Sequence, residues 1–274
     1  MNAEDWNQTN IETSLASLPL GRIQFFSSVA STNDMAARLA SEGAPDLTLV
    51  VAGQQTAGKG RAGRKWFSPP GASIALSLAL RPQQSLAESQ EINSLLLRYT
   101  ALGALAVCDA LHTLYQLPAE IKWPNDVLIK ERKVCGVLAE AHWLGNQLEA
   151  IILGIGINVL PQAIPPKNDL QFPATCIQEH VKQEISRMAL LSQVIGRLIF
   201  WRSHIQSPAF IQSWEELLAF RHQWVKVVNQ TPEKTEQIIT GKIVGLDSEG
   251  RLVLEDSTGT PAMVQFGELQ LRPV

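Results

Sequence analysis

The apolar positions fall into two kinds of run, and their spacing predicts alternating helices and strands rather than a repeat. Ser31 can cap a helix over residues 31–42, with Met35, Leu39 and Ala40 on one face and Gly43 at the stop. Residues 47–54 read as a buried strand and residues 73–80 (SIALSLAL) as another. Residues 88–116 are rich in Leu and Ala and end before Pro118, which predicts a long helix. Three apolar runs, 127–129, 134–141 and 148–157, are split by short polar turns, the pattern of an antiparallel meander. Two more helices are predicted near residues 185–204 and 208–220, the second with Ser207 as cap and Pro208 at its first position.

From about His222 the texture changes to short strand-like runs, 224–228, 237–244, 251–255 and 262–266. Pro232, residues 247–250 and residues 258–261 separate them. The expected organisation is an α+β domain over residues 1–221, followed by a small β-barrel over residues 222–274. A segment of about 50 residues can barely bury a core alone, so the barrel is expected to dock on the larger domain.

Composition narrows the class without naming it. The chain has 274 residues, 45% hydrophobic and 18% charged, with a formal net charge of -3. That is ordinary for a globular protein, and a pI near 6.0 speaks against a nucleic-acid partner. No uninterrupted run of about 18 apolar residues is expected to span a membrane, and the residues Asn2, Glu4, Asp5 and Asn7 do not resemble a signal sequence. The expected location is the cytoplasm. Cys108, Cys135 and Cys176 are odd in number and far apart, which favours reduced core thiols. The five histidines never fall at ligand spacing, so no protein-held metal is expected; any metal arrives with a substrate.

Chemistry concentrates in two blocks. Residues 58–64 read Gly-Lys-Gly-Arg-Ala-Gly-Arg, three glycines and three cations, with Trp66 just after. Such a loop suits an anion. Residues 53–59 fit G-x-x-x-x-G-K, but Gly60 stands where a phosphate-binding P-loop needs Ser or Thr. Gly63, Pro69, Pro70 and Gly71 also prevent the helix that a P-loop must enter. The second block, Lys122-Trp123-Pro124-Asn125-Asp126, places an Asn-Asp pair at the mouth of a strand. If residues 131 and 132 form a two-residue turn, Lys133 shares a sheet face with Asp126, roughly 13 Å away. That separation suits a substrate between them rather than a salt bridge.

Each feature alone has a plainer reading: a solvated basic turn at 58–64, a capped turn at 122–126, a helix cap at Ser31-Thr32-Asn33, and a close backbone approach at Gly154-Ile-Gly-Ile-Asn158. Together and in this order they resemble the biotin protein ligases. The family's glycine-arginine loop stands at 58–64, its Lys-Trp-Pro-Asn-Asp block is intact at 122–126, and its glycine strand ending in Asn lies at 154–158. The resemblance covers nearly all of the chain after about residue 20 and implies the ligase-only form, without an N-terminal DNA-binding domain.

The resemblance implies an α+β fold with a mixed or antiparallel sheet and flanking helices, similar to class II aminoacyl-tRNA synthetases, plus a C-terminal SH3-like barrel. It implies that biotin is activated by ATP, with Mg²⁺ on the phosphates, to biotinyl-AMP. Biotin then passes to a lysine of the biotin carboxyl carrier protein of acetyl-CoA carboxylase. A homodimer is plausible on the same ground. Arg61, Asp126 and Lys133 are implied as catalytic. Arg61 bridges the biotin carboxylate and the phosphate, Lys133 reaches the acyl oxygens, and Asp126 orients the attacking lysine and accepts its proton. Ser31, Thr32, Asn33 and Gln55 are implied to hold biotin's urea, and Gly58, Lys59, Gly60, Gly154 and Gly156 to let backbone approach it. Arg64, Asn125 and Asn158 are implied as nucleotide contacts and Trp66 as an apolar wall. Loop 58–64 is expected to act as a lid ordering over the ligand. Lys59 departs from the family's usual Arg, which leaves a main-chain role intact and weakens a bidentate one. A lipoate-attaching enzyme, a non-catalytic biotin or nucleotide sensor, and a nucleic-acid-binding module remain the alternatives.

Overall fold

The computed structural model describes residues 6–82, 89–166, 170, 172–230, 236–264 and 269–273. Seven strands form the main sheet: β1 (Arg22–Phe26), β2 (Thr48–Ala52), β3 (Ser73–Leu80), β4 (Ala119–Lys122), β5 (Asp126–Ile129), β6 (Arg132–Leu144) and β7 (Gln147–Asn158). Their order is β1-β2-β3-β7-β6-β5-β4. Only the β1–β2 pair is parallel, so the sheet is mixed.

The two faces of this sheet differ, and β7 shows why. Its odd positions Ile151, Leu153, Ile155 and Ile157 enter the main core with helix α3 (Ser89–Tyr115). Helices α1 (Gln8–Leu15) and α4 (Arg187–Ser203) contribute Ile11, Leu15, Leu190, Leu191, Val194, Ile195 and Leu198 to the same core. Alternation along a strand sends the even positions Ile152, Gly154, Gly156 and Asn158 to the other face. There α2 (Thr32–Ser41) covers only part of the sheet, packing Ala36, Leu39 and Ala40 on Val50, Ala79, Ala150 and Ile152. The uncovered part carries small residues across four strands. Ala75, Gly156, Gly136 and Asp126 are successive partners on β3, β7, β6 and β5, and Ser77, Gly154 and Leu138 form the next row. Ala75, Ser77, Gly136, Gly154 and Gly156, with little or no side chain, form the floor of a trough.

Helix α5 (Pro208–Glu216), capped by Ser207 with Pro208 in its first turn, leads to a five-stranded antiparallel sheet. Its strands are β8 (Trp224–Gln230), β9 (Glu236–Leu246), β10 (Leu252–Glu255), β11 (Pro261–Val264) and β12 (Leu269–Pro273), in the order β11-β10-β9-β8-β12. As expected, this sheet docks on the rest. Val225, Val227, Ile243, Leu252 and Leu254 join the main core, Trp123 Nε1 donates to Gly250 O at 3.0 Å, and Arg98 Nη2 donates to Ser248 O at 2.6 Å.

Several expectations change. Helix α1 and strands β1, β4 and β12 are not among the expected elements: β4 (AEIK) is four residues long, and the alternation of β1 (RIQFF) lasts only four residues before Phe26 follows Phe25. The expected run 262–266 ends outside the described residues. Ile92–Tyr115 of α3 is long and apolar enough to cross a membrane by length and composition, but it is interrupted by polar residues and 78% of its most apolar stretch is buried within the protein, as in a core helix. All three cysteines are free and buried, and burial pushes the Cys108 and Cys135 thiols well up.

Candidate active site

The trough is roofed by the β2–β3 connection and becomes a cavity of about 880 Å³. It is lined by every site residue expected from the sequence: Ser31, Thr32, Asn33, Gln55, Gly58, Lys59, Gly60, Arg61, Arg64, Trp66, Asn125, Asp126, Lys133, Gly154, Gly156 and Asn158. The volume lies in the range of small-molecule and cofactor sites.

The even positions of β7 act as a ruler through this site, with about 6.6 Å between successive residues of one face. Above Gly154 sits Asn33 of α2, so close that a Cβ on Gly154 would fall 2.1 Å from Asn33 Oδ1. Asn33 Nδ2 donates to Glu140 Oε2 at 2.6 Å, and Ser77 Oγ lies 2.6 Å from Asn33 Oδ1. Thr32 N and Oγ1 both donate to Gln55 Oε1, at 2.8 and 3.0 Å, which turns the Gln55 amide nitrogen toward Gly58. Ser31 occupies the N-cap position of α2 with extended backbone, yet its side chain makes no cap bond. Its hydroxyl is buried and has no hydrogen-bond partner among the described residues. A helix cap therefore does not account for Ser31. The side chains lining this end, Ser31, Thr32, Asn33 and Gln55, are polar and uncharged, with the Glu140 carboxylate behind Asn33, and leaving a buried hydroxyl unpaired costs about 1–3 kcal/mol.

Above Gly156 lies the Trp66 ring, 2.3 Å from where a Cβ would stand. Trp66 also covers Gly136, and its Nε1 is buried without a partner among the described residues. The loop that carries it is a small closed hairpin: Trp66 N donates to Gly58 O at 2.8 Å, Gly60 N to Arg64 O at 2.7 Å, and Arg64 Nε to Arg61 O at 2.9 Å. Its tip needs left-handed backbone at Ala62 (φ 54) and Gly63 (φ 71). The single 3-10 turn Arg61–Gly63 is no helix, in keeping with the rejection of a P-loop. Lys59 pairs with Asp34 of α2, and Arg61 Nη1 donates to Asn125 Oδ1 at 2.9 Å, so the loop is tied to both walls.

At the charged end the geometry corrects an expectation. Lys133 and Asp126 were placed about 13 Å apart, but Lys133 Nζ lies 2.6 Å from Asp126 Oδ1, an ion pair. Two causes act. The turn is Lys130-Glu131, with φ 50 and 57, one residue earlier than expected, and pairs Ile129 with Arg132. A bulge between Val127 and Leu128 then sets Leu128 against Lys133 and Asp126 against Gly136. Because Gly136 has no side chain, the lysine folds back over it, 3.2 Å from the empty Cβ position, to the carboxylate. The ammonium also lies 5.5 Å from the Trp66 ring centre.

Burial alone would raise the Asp126 carboxyl, but Lys133, Lys122 and Arg61 outweigh it and hold the group below the usual carboxylate range. A depressed folded pKa contributes stability that is complete above the unfolded value of about 3.9 and is lost as pH falls through the folded one. The stability gap between wild type and Asp126→Asn is therefore expected to narrow below about pH 4. Denaturant midpoints at pH 6 and pH 3 measure it, and an unchanged gap would count against this reading.

Sequence reasoning missed Gly136, Ser77 and Glu140. The signal was present: Ser73 and Ser77 share one face of a strand otherwise made of Ile, Ala and Leu, and Glu140 is a lone carboxylate in an apolar run. It also missed Lys122, whose ammonium stands 3.9 Å over the Phe172 ring on the cavity wall. Among the described residues no group of three or more His, Cys, Asp and Glu is placed to hold a metal ion.

A sheet trough roofed by a cationic loop, lined by Ser31, Thr32, Asn33 and Gln55 at one end and by Arg61, Asp126 and Lys133 at the other, has the form of a small-molecule site suited to an anion at its charged end. Comparison with known proteins makes this specific. Residues 25–158 match the biotin/lipoate A/B protein ligase family and residues 233–272 the biotin protein ligase C terminal domain. The chain is 32% identical over 237 residues to the bifunctional ligase/repressor BirA of Bacillus spizizenii, covering 84% of this chain and 68% of that one. It is 31% identical to the biotin-(acetyl-CoA-carboxylase) ligase of Mycobacterium tuberculosis, over 87% and 85% of the two chains. The biotin protein ligase of Aquifex aeolicus, solved with biotin and ATP, superposes with a TM-score of 0.76 at 28% identity, covering 92% of this chain and 99% of that one. The chain belongs to the biotin/lipoate A/B protein ligase family, among its biotin protein ligases.

Proposed function

We propose that this protein joins biotin to AMP at the expense of ATP and then transfers biotin to a lysine of the acetyl-CoA carboxylase carrier protein. One observation carries the reading: a single cavity holds a neutral polar set at one end and Arg61, Arg64 and Lys133 at the other. Biotin has that division, a urea that must be hydrogen-bonded when buried and a carboxylate that must approach a phosphate. Ser31, Thr32, Asn33 and Gln55 meet the urea. Gly58, Lys59, Gly60, Gly154 and Gly156 admit the ring and chain to the backbone, and Trp66 covers the centre. Arg61 and Lys133 offset the repulsion between carboxylate and α-phosphate, while Arg64, Asn125 and Asn158 contact the nucleotide. Asp126 orients the incoming lysine and accepts its proton; its depressed pKa keeps it an anion ready to hold the lysine ammonium.

Residues 1–221 form the biotin- and ATP-binding unit and residues 222–274 the docked C-terminal unit. Mg²⁺ arrives on the ATP phosphates, the setting is cytoplasmic, the assembly is a homodimer, and neither nucleic acid nor a membrane is a partner. The neutral end favours biotin over lipoate, whose dithiolane ring has no urea to satisfy Ser31. Calorimetric titration is expected to show biotin binding and no lipoate binding. Ser31→Ala is expected to weaken biotin about tenfold, the loss of one hydrogen bond of roughly 1.4 kcal/mol. Equal binding of lipoate, or no effect of Ser31→Ala, would contradict the assignment.

A further inference from the structure

Residues 173–180 take no part in the steps above, yet they hold two residues that do. Lys133 N donates to Pro173 O at 2.8 Å and Thr175 N donates to Lys133 O at 2.9 Å, so both backbone groups of Lys133 are bonded to this segment. Asn158 Nδ2 donates to Thr175 O at 3.0 Å. Ala174 lines the cavity, while Thr175 is fully buried at 0% exposure.

The Thr175 side chain is locked in turn. Its hydroxyl donates to Glu179 Oε2 at 2.8 Å, and Arg132, the neighbour of Lys133, donates Nη1 to the same oxygen at 2.7 Å. With the single hydroxyl proton committed to Glu179, His180 Nε2, 2.9 Å from Thr175 Oγ1, supplies the N–H of that contact. The segment is thus closed on β6 twice, through the Lys133 backbone and through the Arg132–Glu179–Thr175 chain. A one-residue bulge leaves the start of β6 out of plain register. That is where the Lys133 backbone needs an external restraint to aim its ammonium at Asp126.

We propose that Thr175 is a positioning residue for acid activation: through Glu179 and Arg132 it fixes the strap that sets Lys133 and Asn158 against the acyl phosphate end of the cavity. Thr175 reaches no substrate; it acts through those two residues. The neutral end, built on α2 and β3, makes no contact with the strap among the bonds above. Loss of the Thr175 hydroxyl therefore separates the two ends, which a general loss of folding does not.

The proposal rests on the ligase reading, and the experiment distinguishes the two. Biotin affinity by calorimetry, kcat and KM for ATP in biotinyl-AMP formation, and thermal midpoints are measured for wild type, Thr175→Val, Thr175→Ser and Glu179→Ala. Expected for Thr175→Val is a fall of about tenfold in kcat/KM for ATP with biotin affinity within about twofold, as for a lost buried hydrogen bond. Thr175→Ser is expected to recover most of the activity. Glu179→Ala, at a partly exposed position, is expected to reproduce the loss should Thr175→Val not fold. Unchanged adenylation, a serine variant as poor as valine, or a parallel loss of biotin affinity each overturns the proposal. A wild-type protein that makes no biotinyl-AMP overturns the ligase reading and this inference with it.

Discussion

Lys133→Ala is expected to slow biotinyl-AMP formation by about 10²–10³-fold while biotin affinity changes only a few-fold, the effect of removing one preorganised charge from a transition state. The ammonium is already aimed: it is folded over Gly136, 2.6 Å from Asp126 and 5.5 Å from the centre of the Trp66 ring. Activation brings a carboxylate against a phosphate, and a cation fixed there requires no rearrangement as charge builds on the acyl oxygens. The substitution also leaves Asp126 buried with Lys122 and Arg61 as its remaining cations, so stability falls as well. Rapid-quench measurement of biotinyl-AMP, beside calorimetry with biotin, separates the two effects. A Lys133→Ala protein that adenylates normally would remove Lys133 from the chemistry.

Gly154→Ala is expected to cost biotin affinity about 100-fold and stability about 1–3 kcal/mol, the range for overpacking a filled site. The added methyl would stand 2.1 Å from Asn33 Oδ1 and 2.9 Å from its Cγ. Asn33 cannot swing aside easily, because it is 5% exposed and held by Glu140 and Ser77. The first turn of α2 must shift instead, and Ser31 and Thr32 shift with it. Gly43→Ala is the comparison: that glycine has φ +81 and open space around its missing Cβ, so its substitution strains the backbone without touching the cavity. Chemical denaturation and biotin titration of both variants check this. Biotin affinity retained in Gly154→Ala would show that the trough tolerates a side chain beneath α2.

Much of this was legible in the residues because function and local pattern coincide here. The long apolar helix, the strand SIALSLAL and the Ser207-Pro208 helix start lie where periodicity and capping put them. The cavity residues were legible because the loop, the Asn-Asp block and the glycine strand are each dense in unusual residue types. What sequence spacing could not supply is register. One bulge and a turn displaced by one residue convert an expected separation of about 13 Å between Asp126 and Lys133 into an ion pair. Gly136 inside an apolar run is a general sign of a bulge, but nothing in the sequence says that the extra residue falls at Val134. Edge strand β1 was invisible for a related reason. Its pairing with β2 is parallel and long-range, and an alternation of only four residues, Arg22-Ile23-Gln24-Phe25, is too short to mark a strand by itself.

The most direct measurement is incorporation of labelled biotin into a carrier domain of acetyl-CoA carboxylase, with ATP and Mg²⁺, read on the intact carrier by mass. The account predicts one biotin per carrier, dependent on ATP, absent when the acceptor lysine is replaced by arginine and slowed about 10²–10³-fold with Lys133→Ala. Biotin that binds but never reaches the carrier, or lipoate transferred in its place, would contradict it.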